Sequence, residues 1–166
     1  MNVENKIREK TITWTDPKEY RESIRSLSGL DYLKSMIHGE VREPPIANLI
    51  GYALTDAEHG KVAFEIQPEE YHYNPYGTVH GGIITTLLDS AMAASVFSML
   101  PEDKGCSTVE IKVNFIRPIT INTGVLRCEA KPVHVGNRLA TAEGKLRDKS
   151  NKLYAHGVCT LAIFEI

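Results

Sequence analysis

The chain has 166 residues, 42% of them hydrophobic and 24% charged, with a formal net charge of −2. This is one domain's worth of sequence with enough apolar content for a core, and neither the charge balance nor any basic tract suits a nucleic-acid surface. No apolar run reaches membrane-spanning length without a charge, Met1–Lys6 lacks the apolar stretch of a secretory signal, and the scattered Cys106, Cys128 and Cys159 form no CxxC or zinc pattern, so a cytoplasmic location is expected.

Asp16-Pro17 followed by Glu19 marks a helix start, with a capping side chain, proline in the first turn and an acid behind it. Ser28-Gly29-Leu30-Asp31 resembles a capping box, and Leu30, Leu33 and Ile37 follow at helical spacing. Gly39 is placed to end that helix, and Pro44-Pro45 forbids its continuation. Residues 1–45 therefore read as a charged, helical appendage, and residues 46–166 as the main domain.

Ala47–Leu54 and Lys61–Gln67 read as short strands around a turn at Glu58-His59-Gly60. The loop Asn74–Gly82 then enters Ile83–Leu100, a segment apolar on nearly every side that reads as a buried helix. Beyond Gly105, alternation sets Val109, Ile111, Val113 and Phe115 on one face and Thr108, Glu110, Lys112 and Asn114 on the other. Gly124–Val135, Arg138–Arg147 and Leu153–Phe164 are three more strands, with turns at Gly136-Asn137 and Lys149-Ser150-Asn151. Short connections predict that these last four strands are antiparallel neighbours. The expected fold class is α+β: a curved antiparallel sheet wrapped around a long central helix.

Asp89 is the only charge in the central helix. A buried carboxylate without a partner costs several kcal/mol, and Thr85, Thr86, Met92 and Ala93 on its face offer no cation. Asp89 is thus a candidate general base or nucleophile, or else an acid hydrogen-bonded to a neighbouring loop. Upstream, Gly81-Gly82 leaves backbone N–H groups at a helix start, where negative charge is stabilised, although a glycine pair also serves a turn needing positive φ. His80 and Asn74 either shape this loop or meet a substrate, and the Thr108 hydroxyl either places a water or is an ordinary strand residue.

Gly81 and Asp89 stand about 12 Å apart along one helix at 1.5 Å per residue. Two groups acting on one carbonyl must both come within about 3 Å of it. If both act, Asp89 must come from a second subunit whose helix runs antiparallel alongside, which predicts a two-fold dimer. The sequence has no GxSxG, GxGxxG or GxxxxGK[ST] motif and no HxH or HExxH pair, and no metal site is expected.

Asn74-x-x-Gly77-x-x-His80-Gly81-Gly82, Leu87-Leu88-Asp89-Ser90-Ala91, Thr108–Pro118 and Gly136–Glu143 together resemble the hotdog-fold acyl-CoA thioesterases of the phenylacetic-acid-degradation (PaaI-like) type, over roughly residues 28–164. The resemblance implies a hotdog fold and dimers that usually pair into tetramers. It implies that the N–H matching Gly81, helped by Asn74, polarises a thioester carbonyl beside His80. The partner subunit's carboxylate matching Asp89 would activate water or attack directly, with the Thr108 hydroxyl helping to place the water. Coenzyme A is part of the substrate and no cofactor is expected. Gly82 and the turn Gly136-Asn137-Arg138 are candidate substrate contacts, where the Arg138 guanidinium either meets a phosphate or is an exposed arginine beside a turn. The alternative is a non-catalytic acyl-CoA-binding hotdog protein acting as a sensor or assembly partner.

Overall fold

A computed structural model describes residues 7–166, with backbone alone for residues 20–23. The expectation for Met1–Lys6 falls outside the described residues. Helix α1 spans Pro17–Arg25, and the side chain of Asp16 accepts from the Lys18 N–H at 2.9 Å. Helix α2 spans Gly29–Ile37; Ser28 caps it, its hydroxyl accepting from the Asp31 N–H at 3.2 Å. Both starts agree with the sequence.

Helix α3, Pro45–Ile50, corrects the strand expected at Ala47–Leu54. A proline at the first helical position lacks only an N–H that a helix leaves unpaired anyway, so Pro45 opens a helix as readily as it closes one. Strand β1 begins after Gly51 and runs Tyr52–Glu58, and β2 follows as Lys61–Ile66.

Helix α4 spans Gly81–Phe97, followed by strands β3 (Lys104–Phe115), β4 (Leu126–Val135), β5 (Leu139–Asp148) and β6 (Leu153–Glu165). The six strands form one antiparallel sheet in the order β1-β2-β4-β5-β6-β3. Strand β3 is therefore not the neighbour of β4, contrary to the expectation from chain order. Helix α4 crosses the sheet and delivers the chain to the far edge, and the connection 116–125 carries it back to β4. That connection is tied to the loop before α4: the Val79 N–H donates to the Ile119 carbonyl at 2.8 Å, and the Ile121 N–H donates to the Tyr73 hydroxyl at 2.8 Å.

The inner face of the curved sheet holds α4. Leu87, Leu88, Ala91, Met92 and Val96 are fully buried against Leu126, Ala140, Leu146 and Leu161. Gly144 and Gly157 pair in register beneath the helix. A Cβ on Gly144 would stand 3.1 Å from Leu88 Cδ2 and 3.2 Å from Met92 Cγ, and one on Gly157 3.4 Å from Met92 Cε. Helix α2 packs against β1 and α4, with Tyr32 and Leu33 buried and the Gly29 N–H donating to the Leu100 carbonyl at 3.0 Å.

Candidate active site

His80 is the N-cap of α4: its Nδ1 accepts from the Gly82 N–H at 2.9 Å, so the ring proton sits on Nε2. The His80 N–H is in turn held by the His72 carbonyl at 2.8 Å. Among the described residues nothing accepts from the Gly81 N–H. It is left pointing out of the positive end of a helix of 17 residues. Neither Gly81 nor Gly82 has positive φ. Close approach explains the pair instead, since Cβ atoms would stand 3.1 Å from Phe115 Cζ at Gly81 and 3.0 Å from His80 Nδ1 at Gly82.

Asn74 holds the preceding loop. Its Oδ1 accepts from the Tyr76 N–H at 2.9 Å and the Thr78 N–H at 3.3 Å, while Nδ2 donates to Thr78 Oγ1 at 3.0 Å. A cleft of about 360 Å³ opens beside these groups, lined by Asn74, Gly81, Phe115, Arg117 and Ile119 among others. Asp89 is not in its wall.

Asp89 lies further along α4, where Thr108 Oγ1 donates to Oδ1 at 2.7 Å. A β-bulge between Thr108 and Glu110 makes this possible. Thr108 pairs with the buried Leu161, Ile111 with the buried Cys159 and Phe115 with the buried Ala155, so all three face inward. Val109 is the extra residue and is 61% exposed. Strict alternation had put Val109 inside and Thr108 outside; one inserted residue exchanges them.

Asp89 is also half-buried in the single chain, not buried as expected. The stripe Gly82, Thr86, Asp89, Ala93 lies along the side of α4 that the sheet does not fully cover. The carboxylate acts on its surroundings. Burial pushes the Cys106 thiol up to about 12, with Cys159 and then Asp89 adding to the shift, so Cys106 stays protonated and donates to the Ala93 carbonyl at 3.6 Å.

Gly136, Asn137 and Arg138 form the turn between β4 and β5, and the Arg138 side chain is exposed. The Arg138 carbonyl accepts from the Ile163 N–H at 2.9 Å, and Ile163 pairs with Cys106 at the start of β3. Gly81 instead adjoins Phe115, at the end of β3. At about 3.3 Å per residue, Cys106–Phe115 spans about 30 Å. One chain therefore brings together Asn74, His80, Gly81 and Gly82 at one end of the sheet, and holds Asp89 with Thr108 nearer the other end, where Arg138 lies.

Two features escaped the sequence. Phe115 lies on Gly81, and the buried His72 pins the loop, its Nε2 donating to the Ile50 carbonyl at 2.7 Å while Nδ1 accepts from the Glu69 N–H at 3.0 Å. Neither pairing has a local signature, because each joins segments far apart in the chain. Met92 and Val96 are packed in the core, and Phe97 meets the Tyr32 ring edge-on at 5.8 Å.

The family profile described as the thioesterase superfamily matches residues 76–155. Human acyl-coenzyme A thioesterase 13 is 32% identical over 107 residues, covering 63% of this chain and 74% of that one. The chain belongs to the thioesterase superfamily. The 1,4-dihydroxy-2-naphthoyl-CoA hydrolase of Listeria monocytogenes is 25% identical over 114 residues, or 69% of this chain and 91% of the relative. The solved structure of a phenylacetic acid degradation-related protein from Ralstonia eutropha JMP134 superposes with a TM-score of 0.72 at 27% identity, covering 79% of this chain and 98% of that one. The α+β architecture is the hotdog fold of this superfamily, with α4 as the sausage and the six strands as the bun.

Proposed function

We propose that this superfamily member hydrolyses acyl- or aryl-CoA thioesters to the free acid and coenzyme A. The observation that carries the reading is the Thr108–Asp89 hydrogen bond at 2.7 Å. The hydroxyl donates and Asp89 Oδ1 accepts. One oxygen is fixed and the other is left to hold a water. Water attacks the thioester carbon while Asp89 Oδ2 takes its proton. The oxyanion that forms is met by the Gly81 N–H and the α4 dipole. Collapse breaks the C–S bond, and the CoA thiolate leaves with the proton held by Asp89. Water is the only co-reactant, and the proposed reaction uses no cofactor or metal.

The site needs two subunits, since Gly81 and Asp89 are separated along one rigid helix. Strand β3 is a long edge with unpaired backbone groups, available to a second copy. Two β3 edges paired antiparallel about a two-fold axis would set the Asp89 and Arg138 end of one chain against the Gly81 end of the other. A dimer with two shared sites is the assembly this reading requires, and the resemblance implies that such dimers pair into tetramers. Arg138 then serves the CoA phosphates, with Gly82, Gly136 and Asn137 lining the approach.

The test is thiol release from a panel of CoA thioesters by wild type and Asp89→Ala. Turnover that collapses in a folded variant supports the mechanism; normal hydrolysis by folded Asp89→Ala overturns it. An inactive wild type that CoA thioesters still stabilise against heat would favour the non-catalytic binding protein.

A further inference from the structure

A second cavity, of about 200 Å³, lies between α2, α3, the strand pair β1–β2 and the face of α4 turned away from Thr108. Leu33, Met36, Leu54, Phe64 and Ala94 supply its walls, and α2 and α3 roof it. The lining polar side chains are Glu43, Tyr52 and Ser90, with Tyr52 Oη and Ser90 Oγ 2.8 Å apart. Ser90 follows Asp89 in the chain. The Tyr52 hydroxyl is held above its ordinary range first by burial, against the Ser90 hydrogen bond, and then by the charges of Asp89 and Glu43. The cavity is preformed between helices and strands, and Ser90 in its wall is the residue next to the proposed base. The cleft beside Gly81 shares none of its lining.

Resting on the thioesterase reading, we propose that this pocket receives the acyl end of the substrate and sets its size. A site of about 150 Å³ with aliphatic walls accepts one benzene ring. This pocket therefore takes one aromatic ring with a short substituent, or an alkyl chain of similar bulk. An acetyl group leaves it unfilled, and a long fatty chain overruns it. Residues 29–50, which carry α2 and α3, thereby become specificity-determining parts of the site.

Rates on acetyl-, hexanoyl-, phenylacetyl-, decanoyl- and palmitoyl-CoA test this in wild type, Ala94→Leu and Met36→Ala. Wild type is expected to prefer hexanoyl- and phenylacetyl-CoA. Ala94→Leu fills the pocket, so the hexanoyl-to-acetyl ratio of kcat/KM should fall about 10- to 200-fold. Met36→Ala opens the roof, so the preference should move towards decanoyl-CoA. If Ala94→Leu does not fold, Met36→Ala decides alone. An active wild type whose acyl ranking is unchanged in the folded variants overturns the pocket and leaves the thioesterase reading standing. A wild type that turns over no thioester overturns both.

Discussion

The ring of Phe115 covers the Cα of Gly81, with Cζ only 3.1 Å from where a Cβ would stand. The last residue of β3 thereby sets how close the start of α4 comes to the edge of the sheet. Gly81→Ala should cut kcat about tenfold or more, because displacing the N–H by even part of an ångström misplaces the oxyanion. The loss should be smaller in a Phe115→Leu background, where the ring no longer opposes the methyl. A double-mutant cycle on kcat checks the coupling.

Thr108→Val removes the hydroxyl at nearly constant volume. A hydrogen bond to a charged group is worth about 1.5–3 kcal/mol, so kcat should fall about 10- to 160-fold with little change in melting temperature. Thr108→Ser should recover much of the loss. A valine variant with normal kcat would remove Thr108 from the mechanism.

His72 gives the fold a pH dependence. Burial holds it below its ordinary 6.5, opposed by the Ile50 hydrogen bond. The unfolded chain therefore takes up the proton first, at 6.5, and the stability contributed by neutral His72 is full above that pH and drains as pH falls below it. One such group changes stability by at most about 1.4 kcal/mol per pH unit. Urea unfolding from pH 7.5 to 5 should show this slope, and His72→Gln should flatten it. Glu43, raised by burial from 4.5, acts in the opposite sense at lower pH and is common to both proteins, so the difference isolates His72.

Gly29→Ala should be among the most damaging single changes. A Cβ there would stand 1.8 Å from the Phe97 carbonyl oxygen, which belongs to backbone at the end of α4. Overpacking of this kind costs about 3 kcal/mol, or roughly 6–12 °C in melting temperature for a domain of this size. Calorimetry checks it; a wild-type melting temperature would show that α2 docks without needing a glycine.

The places of β2 to β6, the caps at Asp16 and Ser28 and the central helix were legible because each depends on neighbours in sequence. What failed depends on distant partners. The pairing of β3 with β6 is set by where α4 delivers the chain, and the bulge at Val109 by the register of that pairing. The helix at Pro45–Ile50 was read as a strand because a six-residue apolar run has no decisive period. At the site, Asp89 and Gly81 stood out by chemistry alone, as a lone charge and a glycine pair at a helix start. Asn74 stood out too, with two roles open, and its amide is spent on its own loop. Phe115 was placed on the correct face of its strand, but its contact with Gly81 joins two segments no local pattern connects.

Gly144 and Gly157 face each other across β5 and β6 directly under Leu88 and Met92. Two absent side chains act as a spacer of zero thickness, and they fix the height of α4 above the sheet. Asp89 rides on that helix, and Thr108 belongs to the sheet, so the gap between the Asp89 carboxyl and the Thr108 hydroxyl is tuned from beneath. A methyl added at Gly144 would press on Leu88 and Met92, and so bear on the Thr108–Asp89 hydrogen bond without touching either residue. The Thr108–Asp89 geometry thus rests in part on a position that holds no functional group at all.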